Sequence, residues 1–431
     1  MSSRRRRSVA TIAVLAVLVA GGLTLKKLNI VSFSTAAPTS TVPDPSAKYL
    51  AAENRAITAA EAAVNARLPG RQGSPAPVLG SPAYRRVLPR HDVVGFFPSY
   101  ELPRLRAVDL AGLTEVVYYG FQVEPDGAVL KKPSASLGWA AVENGAASVL
   151  IKEAHADGDR VLLGAFSVDQ RVIQSLSGAG ATAAGQRLAH ELIPVIAANG
   201  FDGADLDLEG QATGDRSGFV RFVSAFSAAL KASNPSLTLM LNTYPQSAGD
   251  PTSFYDVKAL APHVSQLFVM AYDMNDPAVP SANAPLVGPS LNDASTLAAY
   301  GGAGLASKVI LGVPFYGYDY PASRAQPPAD TIGSPYTVTY ADIVQSIEHN
   351  GHKPVWDPES ETPYYSFRRA KQWHQTWFDD PVSIALKTAL AAQFHVAGVG
   401  AWELGMADDA PQMLTLLAGS GPVLKMPLAR R

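Results

Sequence analysis

Eight short runs of apolar, often β-branched residues recur after His91, and helical patterns such as 184–198 and 217–232 separate them. The runs are 93–97, 115–121, 160–166, 203–209, 237–242, 266–272, 309–315 and 396–402. Strands that alternate with helices imply an α/β protein with a parallel sheet, because each parallel crossover needs a helix. Eight such units in about 330 residues predict a closed (β/α)8 TIM barrel with insertions. An open, doubly wound sheet is the structural alternative, but no glycine-rich phosphate loop follows the first run.

Polar and aromatic residues cluster at or just beyond the ends of these runs. They are Ser99, Tyr100, Gln122, Ser167, Glu209, Asn242, Tyr244, Tyr272, Asp273, Tyr316, Trp402 and Glu403. The active sites of TIM barrels occupy the rim at the carboxyl ends of the strands. The sequence therefore predicts one site to which several strands contribute.

The connection between the seventh and eighth runs is about 80 residues long, and a bare loop of that length is improbable in a compact domain. It is rich in aromatic residues, among them Tyr318, Tyr320, Tyr336, Tyr340, Trp356, Tyr364 and Tyr365. We therefore expect a small inserted subdomain over 317–390 that forms one wall of a cleft. The whole barrel is expected over 89–420, with a tail over 421–431.

The fourth run contains the most informative motif, GADLDLEG over 203–210. Side chains alternate along a strand, so Asp205, Asp207 and Glu209 share one face, and the leucines between them share the other. No lysine or arginine on this strand balances the three acids, and they cannot all ionise at contact distance in a poorly solvated interior. At least one should hold a proton near neutral pH, and such a group can protonate a leaving oxygen.

Two other interpretations of the acidic run are weaker. A calcium-binding loop would need a glutamate at position 216, where the chain has Arg216, and a helix upstream in place of a strand. A solvated edge strand would not explain the alternating leucines, which indicate burial on one face.

Composition excludes several classes of function. The chain has no cysteine, which removes disulfides and thiolate metal sites. Its net charge of -2 does not favour nucleic acid as a partner. Hydrophobic residues make up 47% and charged residues 17%, so the core has to be large and its packing must supply the stability.

The N-terminal residues predict export. Four arginines at 4–7 precede a stretch of low charge over 8–25, and Lys26 and Lys27 close it. This charge asymmetry puts the N-terminus in the cytoplasm and the remainder outside. Residues 1–30 are either a cleaved signal peptide or an uncleaved signal anchor, and we favour the anchor. A Ser/Thr/Ala/Pro-rich linker or stalk follows within 31–88, with a possible helix over 49–68.

The acidic motif resembles the fourth strand of glycoside hydrolase family 18, the chitinase-like barrels, which reads D-x-x-D-x-D-x-E. Asp202, Asp205, Asp207 and Glu209 occupy its four acidic positions. The segments 270–273, 311–317 and 398–404 look like strands six, seven and eight of the family, and the resemblance extends over 92–409. There are two departures. Leu208 replaces a frequent aromatic residue, and 164–167 only loosely follows the Ser/Gly-rich pattern of strand three.

The resemblance implies a retaining, substrate-assisted glycosidase that needs no metal and no cofactor. Glu209 would be the acid and base, Asp207 would orient the acetamido group of the substrate, and Asp205 would share a proton or hydrogen bond with Asp207. The same resemblance, with the position of residues at the barrel rim, suggests contacts to the substrate. These are Tyr272, Asp273, Met270, Trp402, Tyr316, Asn242 and Tyr100, although Trp402, Met270 and Tyr316 could instead be packing residues.

The implied partner is a polysaccharide that contains N-acetylglucosamine, such as chitin oligomers, peptidoglycan or the core of N-linked glycans. The alternative from another class is a non-catalytic, lectin-like barrel, but such members of the family usually lack the acid at Glu209. We expect a monomer that is extracytoplasmic, either secreted or anchored to the membrane by its N-terminal segment.

Overall fold

The computed structural model describes residues 91–108, 110–132, 136–212, 215–407 and 411–419. The predicted N-terminal segment (1–30), the linker with its possible helix (31–88) and the tail (421–431) lie outside these ranges. Among the described residues, no helix combines the length and the apolar character needed to cross a membrane.

Eight parallel strands form the centre of the fold. They are β1 (Asp92–Pro98), β2 (Glu115–Gln122), β3 (Arg160–Ser167), β4 (Gly203–Leu208), β5 (Thr238–Thr243), β6 (Gln266–Met270), β7 (Val309–Pro314) and β13 (Gly398–Trp402). They close into a barrel in the order β1-β13-β7-β6-β5-β4-β3-β2. Each of the eight predicted runs coincides with one barrel strand, so the predicted TIM barrel is confirmed. Glu209 is the first residue after β4.

Helices flank the barrel strands, and one more helix lies in the insertion. They are α1 (Leu137–Glu143), α2 (Ala147–Asp157), α3 (Gln170–Leu176), α4 (Ala181–Asn199), α5 (Arg216–Ser233), α6 (Val257–Leu260), α7 (Asp293–Gly302), α8 (Tyr340–Asn350), α9 (Pro381–Gln393) and α10 (Pro411–Leu417). The two predicted helical segments lie in α4 and α5. Local sequence fixes where α9 begins, because Asp380 and Ser383 form a capping box around Pro381 in the first turn.

The barrel strands are apolar on both faces because each face packs into a core. The outer faces, including Leu206 and Leu208, pack against the helices. A separate cluster fills the barrel interior, composed of Val94, Phe96, Val117, Leu162, Met240, Phe268, Met270 and Ile310. Because this interior is apolar and close-packed, polar side chains that could react with a substrate lie towards the two ends of the barrel.

The predicted subdomain between the seventh and eighth barrel strands is present, and it is built on an antiparallel sheet. Its strands are β8 (Tyr316–Ala322), β9 (Tyr336–Thr339), β10 (Val355–Asp357), β11 (Thr362–Arg369) and β12 (Gln372–Trp377). They pair in the order β10-β11-β12-β8-β9, and α8 connects β9 to β10. The last part of the predicted insertion, 381–390, lies in α9, which contacts β13 of the barrel.

A buried ion cluster joins the end of this insertion to the barrel. The ammonium of Lys387 on α9 is fully buried, 2.7 Å from Asp293 on α7 and 3.4 Å from Asp379. It also donates a hydrogen bond to the carbonyl oxygen of Ala284. A buried lysine is tolerated because two carboxylates and a carbonyl replace its water shell.

Candidate active site

Strand β4 carries two of the predicted acids inside the barrel. Asp205 is 0% exposed and Asp207 is 3% exposed. In the strand register Asp205 lies beside Gly164, and Asp207 lies beside Phe166, both on β3. The period-two prediction is therefore confirmed, since the intervening leucines contact the outer core while the acids face inward.

Asp205 is the deepest of the three acids. Neither of its carboxyl oxygens has a hydrogen-bond partner among the described residues. Burial raises the pKa of Asp205 well above its usual value, and the charges of Asp207 and Glu115 raise it further. An unpartnered carboxylate would be costly here, so the site favours the protonated form of Asp205.

Asp207 is the acid best able to ionise. The hydroxyl of Tyr119 on β2 donates a hydrogen bond of 3.0 Å to its Oδ2. Burial raises the pKa of Asp207 to about 6, while hydrogen bonds from Asn242 and Tyr119 limit that rise. Both donors stabilise the charged form. Asn242, on β5, is itself buried, as expected for a residue at the inner rim.

Glu209 is half-buried at the mouth of the barrel, and its backbone is held on both sides. Its N–H donates to the carbonyl of Ser167 at 3.0 Å, and its own carbonyl accepts from Nε2 of Gln170 at 2.7 Å. Burial raises the pKa of Glu209 well above its usual value, and the charges of Asp207 and Asp273 add to the effect. The raised pKa favours the protonated form of Glu209.

Tyr272 and Asp273 follow β6, which β5 separates from β4 in the barrel. Asp273 has a φ of 54°, in the left-handed region that residues other than glycine rarely adopt. Its N–H donates to Oδ1 of Asn283 at 2.8 Å. The ring of Tyr316 on β8 meets the ring of Tyr272 edge-on, with centroids 6.1 Å apart.

Asp273 is held by two tyrosines of the inserted sheet. Tyr316 and Tyr318 each donate a hydrogen bond to its Oδ1, at 2.6 Å and 2.7 Å. Burial raises the pKa of Asp273, and these two hydrogen bonds oppose the rise. The sequence allowed either a packing role or a substrate-binding role for Tyr316. Its side chain contacts Asp273, another residue of the site.

Aromatic rings pack together beside Asp207, where Tyr119 reaches its carboxyl group. The half-buried Trp402 meets Phe96 with centroids 5.4 Å apart and Tyr119 at 5.0 Å. Met270 is buried in the inner cluster, where Trp402 and Tyr272 pack against the same group. Trp402 and Met270 thus pack at the barrel mouth, and Trp402 also keeps part of its surface exposed.

Tyr100 is the outlying member of the predicted set. It lies in the 3-10 helix Ser99–Ala107 and is 51% exposed. The carboxyl groups next to it are Glu403 and Glu101, both of which raise its pKa in addition to burial. Burial and the nearby Glu101 raise the pKa of Glu403 itself to about 8. Tyr100 therefore lies next to a second group of acids, Glu101 and Glu403, at the rim beside β13.

The structure adds site residues that the sequence analysis did not select: Tyr119, Phe166, Tyr318 and Asn283. Tyr119 sits in a tyrosine pair, 118–119, and only the strand register tells which ring faces inward. Tyr318 was noted as an aromatic residue of the insertion, but nothing in the sequence connected it to Asp273.

The combined geometry supports proton transfer at the barrel mouth. The raised pKa of Glu209 favours its protonated form, its neighbour Asp207 can ionise near neutral pH, and the rings of Tyr119 and Trp402 pack together beside Asp207. Two carboxyls whose environments separate their pKa values can hold one proton and one negative charge at the same pH. Within the described ranges, no group of three or more histidine or acidic side chains is arranged to hold a metal ion.

The profile of glycosyl hydrolases family 18 matches residues 92–407. The chain belongs to this family. The family 18 match spans the whole barrel and its inserted sheet, from the first residue of β1 to beyond β13.

Two curated proteins represent the similarity in sequence. Human (Homo sapiens) di-N-acetylchitobiase is 30% identical over 178 residues, which are 36% of this chain and 44% of the chitobiase. The putative sporulation-specific glycosylase YdhD of Bacillus subtilis (strain 168) is 24% identical over 222 residues, 50% of each chain. The chain thus spans half or less of the length of these relatives.

Solved structures extend the similarity to the entire fold. A family 18 chitinase from Cycas revoluta superposes with a TM-score of 0.67 at 20% identity, covering 76% of this chain and 98% of the chitinase. A family 18 N-acetylglucosaminidase from Paenibacillus barengoltzii gives a TM-score of 0.63 at 18% identity, covering 77% and 100%. At this identity the likeness concerns the fold.

Proposed function

We propose that the protein is a retaining glycosidase that hydrolyses β-1,4 bonds in polysaccharides containing N-acetylglucosamine. The observation that carries the proposal is the position of Glu209 at the barrel mouth, with its pKa raised by burial and by Asp207 and Asp273. Such a carboxyl can donate a proton to a glycosidic oxygen at neutral pH, where an ordinary glutamate is already ionised. Membership of family 18 supports the same reaction class.

The proposed reaction proceeds in two steps. Glu209 gives its proton to the glycosidic oxygen as the bond to C1 breaks, and the carbonyl oxygen of the 2-acetamido group of the substrate forms a bond to C1. Glu209, now a carboxylate, takes a proton from water, and that water opens the cyclic oxazolinium intermediate at C1. Two displacements at C1 retain its configuration, and Glu209 ends the cycle protonated.

Asp207 has the electrostatic role in this mechanism. As a carboxylate it would accept the N–H of the acetamido group and offset the positive charge that develops on the oxazolinium. Tyr119 and Asn242 favour its ionised form, and protonated Asp205 adds no second negative charge below it. Tyr272 and Asp273 would hold the acetamido oxygen and the neighbouring hydroxyls, and Trp402 would cover the apolar face of the sugar.

The substrate class follows from the need for an N-acetyl group. The similarities to a di-N-acetylchitobiase and to chitinases favour chitin-like oligomers. A cortical fragment-lytic enzyme of Bacillus subtilis (strain 168), 28% identical over 123 residues, favours cell-wall glycan as the other candidate. Product analysis on chitin oligomers and on purified peptidoglycan would decide between the two.

The decisive test is turnover of a fluorogenic N-acetylglucosamine oligomer by wild-type protein and by Glu209→Gln. We expect the variant to lose about 100-fold or more in kcat while it still binds the oligomer, because only the proton donor is removed. Asp202→Asn is the matched control. Asp202 belongs to the same acidic motif but contacts His155 and the N–H of Val161 at the other end of the strand.

The outcomes separate the proposal from its alternative. Normal turnover by Glu209→Gln would contradict the assignment of the acid. Binding of the oligomer without any turnover by the wild type would favour the non-catalytic, lectin-like barrel.

We also propose that the protein is a monomer and that it is extracytoplasmic. The location is supported by the arginines at 4–7 and the low-charge stretch over 8–25. Fractionation of cells that express the full chain tests the location, and N-terminal sequencing of the product distinguishes a cleaved signal from an anchor. Sedimentation of the purified protein tests the oligomeric state.

A further inference from the structure

Phe166 departs from the Ser/Gly-rich pattern that the family resemblance implies for strand three. It lies on the inward face of β3, beside Asp207 in the strand register, and is half-buried. A large ring at this point occupies space directly beside the acid that the mechanism needs as a carboxylate. Its contacts show what the ring does.

Phe166 stacks on Tyr119. The two ring centroids are 4.7 Å apart and the planes are 27° from parallel. On its other sides, Tyr119 meets Trp402 edge-on at 5.0 Å and Phe96 at 6.2 Å. The Tyr119 ring is thus enclosed by three aromatic neighbours, and Phe166 supplies the only stacked face among them.

The hydroxyl at the end of this enclosed ring reaches Asp207, with 3.0 Å between the Tyr119 oxygen and Oδ2. The strength of a hydrogen bond falls steeply with angle, so a rotation of the Tyr119 ring would weaken it. Gly164 is the other β3 residue near Tyr119, and it has no side chain to support the ring. An added Cβ there would already lie 3.1 Å from Cα of Tyr119. Support from β3 therefore has to come from Phe166.

We propose that Phe166 is a positioning residue for the hydrolysis, which holds the Tyr119 ring so that its hydroxyl fixes the carboxyl of Asp207. The inference rests on the proposed function, but it assigns a task to a residue outside the acidic motif. Phe166 touches Tyr119, and Tyr119 touches the acid. The effect of Phe166 on the reaction is therefore exerted through Tyr119.

The hydrogen bond from Tyr119 to Asp207 affects the acid limb of the pH–rate profile, the low-pH side on which the rate rises with pH. The groups that face Asp207 are Asp205 on its own strand and Glu209 just after that strand, Tyr119 from β2, Asn242 from β5, Tyr244 and Tyr255 after β5, and Tyr272 after β6. Of these, Tyr119 and Asn242 donate hydrogen bonds that lower the pKa of Asp207. Loss of the Tyr119 bond disfavours the carboxylate, so the limb that requires ionised Asp207 moves to higher pH.

The experiment is a double-mutant cycle on the full chain, measured as kcat against pH with the fluorogenic oligomer. Tyr119→Phe removes the hydroxyl and should lower kcat about tenfold or more, the cost of a hydrogen bond to a charged group. Phe166→Leu keeps an apolar side chain but removes the stacked face, and should lower kcat several-fold with a limb shift in the same direction. In the Tyr119→Phe background, Phe166→Leu should have almost no further effect. Phe166→Tyr, which keeps the ring, should keep the wild-type profile.

Phe121→Leu is the matched control, because it removes a ring from β2 that packs against Trp139 outside the barrel. It should lower the thermal midpoint without moving the pH profile. If Phe166→Leu lowered kcat as much in the Tyr119→Phe background as in the wild type, the proposal would be overturned.

A crystal structure of Phe166→Leu in which the Tyr119 hydroxyl stays 3.0 Å from Asp207 would also overturn it. An inactive wild type would instead contradict the proposed function, and the same crystal structure would still test whether Phe166 holds Tyr119 in place.

Discussion

The hydroxyl of Tyr316 donates a hydrogen bond of 2.6 Å to Oδ1 of Asp273. Tyr318, two residues later on the same strand, donates to the same oxygen at 2.7 Å. Both tyrosines belong to the first strand of the inserted sheet, whereas Asp273 follows barrel strand β6. The insertion therefore takes part in building the site.

The two tyrosines should be partly redundant. In Tyr316→Phe or Tyr318→Phe alone, Asp273 keeps one donor, and we expect kcat/KM to fall by less than about tenfold. The double variant leaves the carboxyl without either hydroxyl, and kcat/KM should fall by more than the product of the two single losses. A hydrogen bond to a charged group contributes about 1.5–3 kcal/mol, and the last one removed costs most. Kinetics on the fluorogenic oligomer measure this.

Tyr320→Phe is the control for that series. Tyr320 lies on the same strand, but its hydroxyl accepts a hydrogen bond from Asn275 and does not contact Asp273. It should retain wild-type kcat/KM. If kcat/KM of the double variant fell only by the product of the two single losses, the two hydroxyls would act independently on Asp273.

The rate should depend on pH through two linked groups. Ionised Asp207 and protonated Glu209 are both needed, so kcat/KM should rise as Asp207 loses its proton, near its pKa of about 6. It should fall at higher pH as Glu209 ionises, because burial has raised the pKa of Glu209 well above its usual value. Interacting carboxyls titrate as a pair, so the two limbs report apparent pKa values of the pair.

Asn242→Leu tests the acid limb of that profile. The Asn242 amide favours the charged form of Asp207, so its removal raises the pKa of Asp207 and moves the acid limb to higher pH. Asn234→Ala, at the surface end of α5, should leave the limb in place. An unchanged limb in Asn242→Leu would mean that Asp207 does not control it.

The barrel and the acidic face of β4 were predictable because both depend on short-range periodicity. Alternation of side chains along a strand identified Asp205, Asp207 and Glu209 as one group, with the leucines facing the other way, without knowledge of any contact. Eight apolar runs separated by helices similarly specified the barrel, since few arrangements bury so many strands on both faces.

Tyr119 and Phe166 show where prediction from the sequence ends. The register of β2 against β3 shifts between Tyr119 and Phe121, so Phe121 faces outward although strict alternation would have placed it beside Tyr119 inside. Such a bulge re-aims side chains and leaves little trace in an apolar pattern. The contacts of Tyr119 with Asp207, and of Tyr318 with Asp273, also join residues 88 and 45 positions apart, which no local pattern encodes.

Lys387 should be essential for stability because it neutralises two buried acids. Lys387→Met leaves Asp293 and Asp379 without a counter-charge, and breaking a buried pair in this way costs about 3–5 kcal/mol. Even beside Lys387, burial raises the pKa of Asp293 to about 7, and loss of the lysine would raise it further. A raised pKa in the folded state means that the protein binds a proton on folding. The deficit should therefore be smaller at about pH 5 than at about pH 8.

Urea unfolding of Lys387→Met at the two pH values measures this. Lys308→Met is the control, since Lys308 donates to the carbonyls of Ala261 and Val264 and its removal leaves no buried carboxylate. Its smaller loss of stability should be the same at both pH values. An equal loss for the two variants would mean that the ion cluster does not hold the insertion to the barrel.

Two glycines on the two longest helices, α4 and α5, should not tolerate any side chain. A Cβ added at Gly185 on α4 would clash with the carbonyl oxygen of Phe222 on α5. One added at Gly218 on α5 would clash with the carbonyl oxygen of Ser177, which follows α3. These obstacles are backbone atoms, so Gly185→Ala and Gly218→Ala must move whole helices, and we expect the free energy of unfolding to fall by about 1–3 kcal/mol or more.

Gly301→Ala on α7 is the matched control, because nothing lies within 4 Å of its Cβ position. There, the higher helix propensity of alanine should leave stability unchanged or raise it by up to about 1 kcal/mol. Unfolding in urea distinguishes the two cases, and unimpaired stability of Gly218→Ala would contradict the close approach of α5 to the end of α3.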